Sequence, residues 1–268
     1  MKAIYQTVIT LFLLIAVISC KKEDTSTKKI EVISQDKSQE NNQQGQLAAK
    51  LAGNYVTDTY LSEIEKLKSI YKAEDYTTSM LGFELNKDSL AGKHPCLNGY
   101  SYNEGGLNAS LLYNKTKNRF ENNVNLNKEL LPFFKSPFKI NSLSETQLEI
   151  DFENRAKKEV YRKVTDIDTE LRRILFEGNY IDKATSTSVN FSQNGKITGI
   201  ANKHFFELLY SFEGIDFDIV FLSSDDQHKY DEMFHFKIEG NTLKIFKVNQ
   251  DEESGNTIGA LIYELVKQ

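Results

Sequence analysis

The chain has no tryptophan, three prolines, two cysteines and four histidines in 268 residues. With Cys20 at the end of an apolar leader, Cys96 is left alone, and no disulfide can form within the remainder. Stability must therefore come from a packed core, to which 17 phenylalanines and 13 tyrosines supply the bulk. Catalytic signatures are missing as well. There is no Gly-x-Ser-x-Gly elbow, phosphate-binding loop or His-Glu-x-x-His pair, so neither an enzyme nor a cofactor is expected. Basic residues are not in excess: 33 Lys and Arg stand against 38 Asp and Glu, which argues against nucleic acid as a partner. No apolar run approaches the roughly 20 residues a transmembrane helix needs.

The one marked apolar run is short. Lys2 precedes Val8 to Val17, and Val17-Ile18-Ser19-Cys20 follows. These are the proportions of a secretory signal, expected over residues 1–19. Its removal takes only Lys2 from the charge count and moves the net charge from −5 to −6. From Lys21 to Gln46 only Ile30, Val32 and Ile33 are apolar, too little to offset the entropy of ordering. Residues 20–46 are thus expected to be a disordered tether with a root-mean-square span of about 25–30 Å.

Internal similarity organises the rest. Leu51-Ala52-Gly53-Asn54-Tyr55-Val56 recurs as Phe176-Glu177-Gly178-Asn179-Tyr180-Ile181. Phe138-Lys139-Ile140, Leu148-Glu149-Ile150 and Tyr161-Arg162-Lys163-Val164 recur in order as Phe236-Lys237-Ile238, Leu243-Lys244-Ile245 and Tyr263-Glu264-Leu265-Val266-Lys267. Two homologous domains follow, over 47–165 and 172–268. The second reads as seven or eight short strands: a hairpin at Asn194-Gly195, strands over 204–212 and 217–222, alternation around Phe234, Phe236 and Ile238, a turn at Gly240-Asn241, and a last strand over 258–266. Successive hairpins without crossover helices favour antiparallel up-and-down β-barrels, which leave no edges. In the first domain, Tyr60, Ile64, Leu67 and Tyr71 follow helical spacing, which predicts an inserted helix over 59–72 with Asp58 as its N-cap. Such a helix plugs the barrel end or packs on its wall. Residues 98–128, rich in Asn and Gly, predict one or two strands and long loops.

Other chemistry is sparse. His94 and Cys96 offer two soft ligands without a third, so no metal site is expected, and Cys96 is expected to be buried and inert. Asp225, Asp226, His228, Asp231 and Glu232 lack the spacing of a calcium loop and read as a solvated hairpin tip. His235 falls on the polar face of its strand and is expected to be exposed, and His204 opens a strand.

Two resemblances bear on these residues. Val17-Ile18-Ser19-Cys20 resembles the bacterial lipobox, which implies acylation, palmitate included, at Cys20. It also implies permanent attachment to the outer membrane, on its periplasmic face or at the cell surface. Lys21-Lys22-Glu23-Asp24 is similar to the surface-export signal of Bacteroidetes lipoproteins. Gly-Asn-Tyr opening each unit resembles the Gly-x-aromatic motif of the lipocalin and fatty-acid-binding superfamily, with Tyr55 and Tyr180 where Trp is usual. That resemblance implies two tandem lipocalin-like barrels and a non-enzymatic binding protein for a small apolar ligand. The expected lining is Phe206, Leu208, Tyr210, Phe217, Ile219, Phe221, Phe234 and Phe236. The alternative is a pair of solid barrels whose loops, or the Tyr100–Tyr102 region, bind a protein or glycan at the cell surface.

Overall fold

A computed structural model describes residues 42–76, 80–101, 106–127, 136–153, 158–210, 215–225, 232–251 and 255–268. Cys20, the leader and most of the tether lie outside these residues, as does Tyr102. Among the described residues, no helix is long and apolar enough to cross a membrane.

Among the described residues, sixteen strands form two antiparallel barrels in tandem. The first closes from β1 (Gly53–Thr57) through β2 (Gly82–Leu85), β3 (Cys96–Tyr100), β4 (Leu107–Asn114), β5 (Arg119–Asn122), β6 (Phe138–Ser142) and β7 (Gln147–Phe152) to β8 (Glu159–Val164). Each strand pairs with its sequence neighbour, and β8 returns to β1 with Tyr55 opposite Lys163. The second runs from β9 (Gly178–Asp182) through β10 (Ser188–Phe191), β11 (Ile197–Thr198), β12 (Phe205–Leu208), β13 (Ile219–Ser223), β14 (Glu232–Glu239) and β15 (Thr242–Asp251) to β16 (Gly255–Lys267). Here β16 pairs with β9, while β11 and β12 meet only through a bridge between Lys196 and Phe205, so this barrel is nearly closed. The alternation legible in the sequence is the alternation that packs: Leu148, Ile150 and Phe152 of β7 are buried, and Gln147, Glu149 and Asp151 are not. Residues 98–128 hold more strand than expected, since β3, β4 and β5 all fall there or begin just before.

The repeat is physical. Gly53 and Gly178 share φ +148°, which L side chains rarely adopt, and a lysine stem lies where each would carry a Cβ: Lys163 in one unit, Lys267 in the other. Each lysine nitrogen also lies over the tyrosine ring two residues further on, 5.9 Å from Tyr55 and 5.8 Å from Tyr180. Each tyrosine hydroxyl donates to a backbone carbonyl four residues back, Tyr55 to Leu51 (2.9 Å) and Tyr180 to Phe176 (2.8 Å). Burial pushes both phenols up to about 12. Strand pairing therefore matches Lys163 with Lys267 and Tyr161 with Leu265. The sequence alignment of Tyr161 with Tyr263 is out by two residues.

Two helices depart from expectation. Residues 42–51 form α1, so the end of the stretch assigned to the tether is helical. Its Ala48 and Leu51 enter the first barrel's core, and Gln44 donates to the carbonyls of Leu90 (2.7 Å) and Gly92 (3.0 Å) in and after a short helix, α3 (Lys87–Ala91). The matching helix of the second unit, α4 (Ile167–Leu175), spans the expected boundary at residue 172. Asp166 caps it by accepting from the Thr169 backbone (2.6 Å) and hydroxyl (2.8 Å). Ile167, Leu171 and Leu175, one turn apart, are buried.

The inserted helix, α2 (Asp58–Leu67), follows β1 as expected but ends five residues before Lys72, with Thr57 rather than Asp58 at its N-cap and Tyr71 opening a separate 3-10 turn over Tyr71–Tyr76. Asp58 is drawn instead to Arg162 of β8 (2.9 Å), which also binds Glu65 (2.7 Å) and Ser62 (3.2 Å). That clamp lays α2 along the outer wall, where Tyr60, Leu61 and Ile64 join one continuous core with α4 and the interior of the second barrel. The first barrel's interior is a separate core, built on Tyr55, Phe83, Tyr161, Phe138 and Phe152.

Candidate functional site

Inward-facing residues of the second barrel follow from strand parity. Val220 and Leu222 of β13 face in with Phe234 and Phe236 of β14 and Phe206 and Leu208 of β12. Phe217, Ile219 and Phe221, expected to line the interior, do not belong to that core. Apolar residues run unbroken over 219–222, so sequence offers no parity. Both faces of β13 are covered. Ile219 is paired with His235, whose ring packs edge-on against Phe217 at 5.2 Å.

The interior is filled at its centre. Phe176, delivered by the end of α4, packs against Phe191 (5.2 Å), Phe206 (5.3 Å) and Phe236 (5.0 Å). Phe191 also meets Phe206 at 5.2 Å. Phe206, Leu208 and Phe236 are thus core residues with no free surface toward a ligand. Tyr210 is half-buried near Asp168 and Tyr100, where burial raises both phenols and the Asp168 carboxyl above their ordinary values. Tyr100 belongs to this packing and is not an exposed recognition residue.

Space opens at the other end of the barrel, away from α4. A cavity of about 550 Å³ elsewhere flanks α1, but here about 540 Å³ lies beside Phe221, Met233, Phe234, Val248, Ile262 and Tyr263. Lys203, Glu232, Lys247 and Gln250 supply its polar rim. Lys203 is anchored to Glu232 at 2.7 Å and to the Leu222 carbonyl at 3.4 Å. The pocket exists because β15 and β16 outrun β14, with breaks in register at Ile245–Phe246 and Phe246–Val248 that bend the hairpin. Of the eight residues named from sequence, Phe221 and Phe234 reach this pocket. Met233, Val248, Ile262 and Tyr263 were missed, because their convergence depends on the bulge. Among the described residues the lining has no His, Cys or Ser. An apolar wall with a few charges at one edge suits a small amphipathic molecule.

Other residues singled out earlier fall elsewhere. His235 is buried, not exposed, and its Nδ1 hydrogen-bonds the Asp218 carbonyl at 2.8 Å. Burial holds its pKa below the ordinary value. Asp218 itself accepts from Ser69 Oγ (2.6 Å) and from the backbone N–H groups of Ile70 (2.7 Å) and Tyr71 (2.8 Å). It thereby ties the segment after α2 to the second barrel, and desolvation raises its carboxyl. Cys96 is half-buried, with Sγ 3.1 Å from Ser89 Oγ and 3.7 Å from Asn98 Oδ1. His204 precedes β12 and donates its backbone N–H to Ser223 (2.8 Å). Among the described residues no three metal-ligating side chains converge. Asp226, His228 and Asp231 of the acidic loop lie outside the described residues.

Compared with protein-family models, curated proteins and solved structures, the chain matches none.

Proposed function

We propose that this chain is a lipoprotein anchored to the outer membrane through acylated Cys20, whose second lipocalin-like barrel binds a small, largely apolar ligand without transforming it. The observation that carries the reading is the roughly 540 Å³ pocket walled by Phe221, Phe234, Val248, Ile262 and Tyr263 at the barrel end left open by α4. Its volume falls within the range of about 300–1,000 Å³ typical of small-molecule sites. The aromatic packing below it argues for a ligand held at the mouth rather than swallowed by the barrel.

The absence of tryptophan provides the test. A Tyr263→Trp variant of the full chain carries a single indole in the pocket wall. Titration with decanol should give a saturable blue shift of its emission, and a further Phe234→Ala change should weaken that response about tenfold. A flat titration would remove the reading.

A second reading, an interaction module at the cell surface, has its own support. Ile258, Leu261 and Ile262 on the projecting β15–β16 hairpin are 44–49% exposed. Both barrel centres are filled, the first by Tyr55 and Tyr161 against Phe83 at 5.3 and 4.7 Å. A flat decanol titration together with retention of a surface protein or glycan by the intact hairpin would favour this reading.

A further inference from the structure

We infer that the capped end of the second barrel holds a separate site for a small organic anion with a short apolar body. A space of about 210 Å³ lies where α4, β9 and the β14–β15 turn meet the end of α2. Ile174, Leu175 and Leu243 form its apolar floor, Tyr180 closes one side, and among the described residues the charged ones in its lining are Lys68 and Lys267. Among the described residues no carboxylate lines it, in a chain whose net charge is −5. An uncompensated pair of cations over an apolar floor selects for a molecule with one negative end and one greasy end.

The two lysines are held by different means. Lys267 donates from Nζ to the Glu177 carbonyl at 2.6 Å and lies over Tyr180, so its charge is fixed in place but not neutralised. Lys68 occupies the left-handed conformation, with φ 54° and ψ 36°, at the C-cap of α2, where its backbone N–H reaches the Ile64 carbonyl at 2.8 Å. A non-glycine residue in that region is locally strained, and Lys68 there lines the space at the second barrel's end. Among the described residues Lys68 has no ion-pair partner. The site therefore draws on both halves of the molecule: Lys68 follows the inserted helix of the first, and every other wall belongs to the second.

The first barrel has a space in a related place. Between α1 and β6 lies a groove of about 460 Å³ that includes Lys50 and Ser142, the repeat counterparts of Leu175 and Ile238. Among the described residues it too has cations, Lys50, Lys117 and Arg119, and no carboxylate in its lining, although Arg119 is already bound to Glu121 at 2.6 Å. The smaller space in the second barrel is the better formed. It equals the volume of about seven water molecules at roughly 30 Å³ each, which suits a short alkyl carboxylate.

Methyl NMR of the full chain tests this with sodium hexanoate, hexylammonium and hexanol as probes. Hexanoate should shift the methyl signals of Ile174, Leu175, Ile238 and Leu243 saturably, leaving those of Val248 and Ile262 at the rim pocket in place. Hexylammonium should shift none of them. Lys68→Asn, which tolerates the left-handed backbone, should weaken hexanoate about tenfold, and Lys68→Arg should restore it. Equal response to hexanoate and hexylammonium, unchanged affinity in Lys68→Asn, or no shift at millimolar hexanoate would each overturn the proposal. Shifts confined to Val248 and Ile262 would also overturn it while leaving the rim pocket standing.

Discussion

Asp218 shows how much one buried carboxylate can organise. Its three donors come from Ser69, Ile70 and Tyr71, some 150 residues away in sequence, and all are lost together in Asp218→Ala. Two backbone N–H groups would then be left without their acceptor, each costing about 1–3 kcal/mol. We expect Asp218→Ala to lower stability by about 2–4 kcal/mol in urea denaturation, and Asp218→Asn, which keeps an acceptor, by clearly less. Equal losses would mean that charge, not hydrogen bonding, matters there. His235 makes a pH prediction. Burial depresses its pKa in the folded chain, so its contribution is fully present above the ordinary value of about 6.5 and is lost as pH falls below it. Asp218, with a raised pKa, contributes in the opposite sense, its share being lost as pH rises above about 3.9. The difference in stability between the wild type and His235→Gln should therefore shift in the variant's favour between pH 7.5 and pH 5.5, as measured by denaturation midpoints. A pH-independent difference would contradict this. His235 was misread from sequence because alternation reports which side of a strand a residue takes, not what covers that side. Its cover is Phe217, Phe246 and a segment tied down from the other barrel.

The elements were legible where their periodicity was strong. The hairpin turns at Gly195 and Gly240 and the strands β7 and β14 stand where composition and spacing put them, and the helix after β1 does too, although it stops at Leu67 rather than Lys72. The two capping helices did not show. Residues 42–46 are Asn, Gln and Gly, the composition of a linker, and their helix is stabilised by Ala48 and Leu51 sinking into a core that forms only when the barrel closes. Helix α4 carries signals, an Asp166 cap and apolar residues one turn apart, but it straddles the boundary that the repeat sets between the units. The shared geometry of Gly53 and Gly178 gives a symmetric prediction. Each Gly→Ala change places a Cβ against the lysine stem on a backbone that disfavours it, at a cost of about 1–3 kcal/mol. Similar losses at the two sites are expected in thermal or urea unfolding. A neutral outcome at either would show that the lysine packing is dispensable there.

For the whole molecule, the order of strands followed from the absence of crossover helices, and the doubled barrel followed from the repeat. What a ligand meets was less legible, because the filled centre depends on Phe176 arriving from a helix, and the open rim depends on a bulge. Of the expected lining, Phe221 and Phe234 remain at a pocket, and Phe206, Leu208 and Phe236 are structural. We propose that an acylated anchor at Cys20 carries two packed barrels, the second with a pocket at its open end. Native mass spectrometry of the full protein, taken gently from its own membrane in detergent, tests it most directly. The account predicts a mass lacking residues 1–19, carrying acyl chains at Cys20, with a small apolar molecule that leaves on denaturation and is not retained by Phe234→Ala. A bare polypeptide mass, with neither acyl chains nor a releasable molecule, would contradict both the anchor and the carrier.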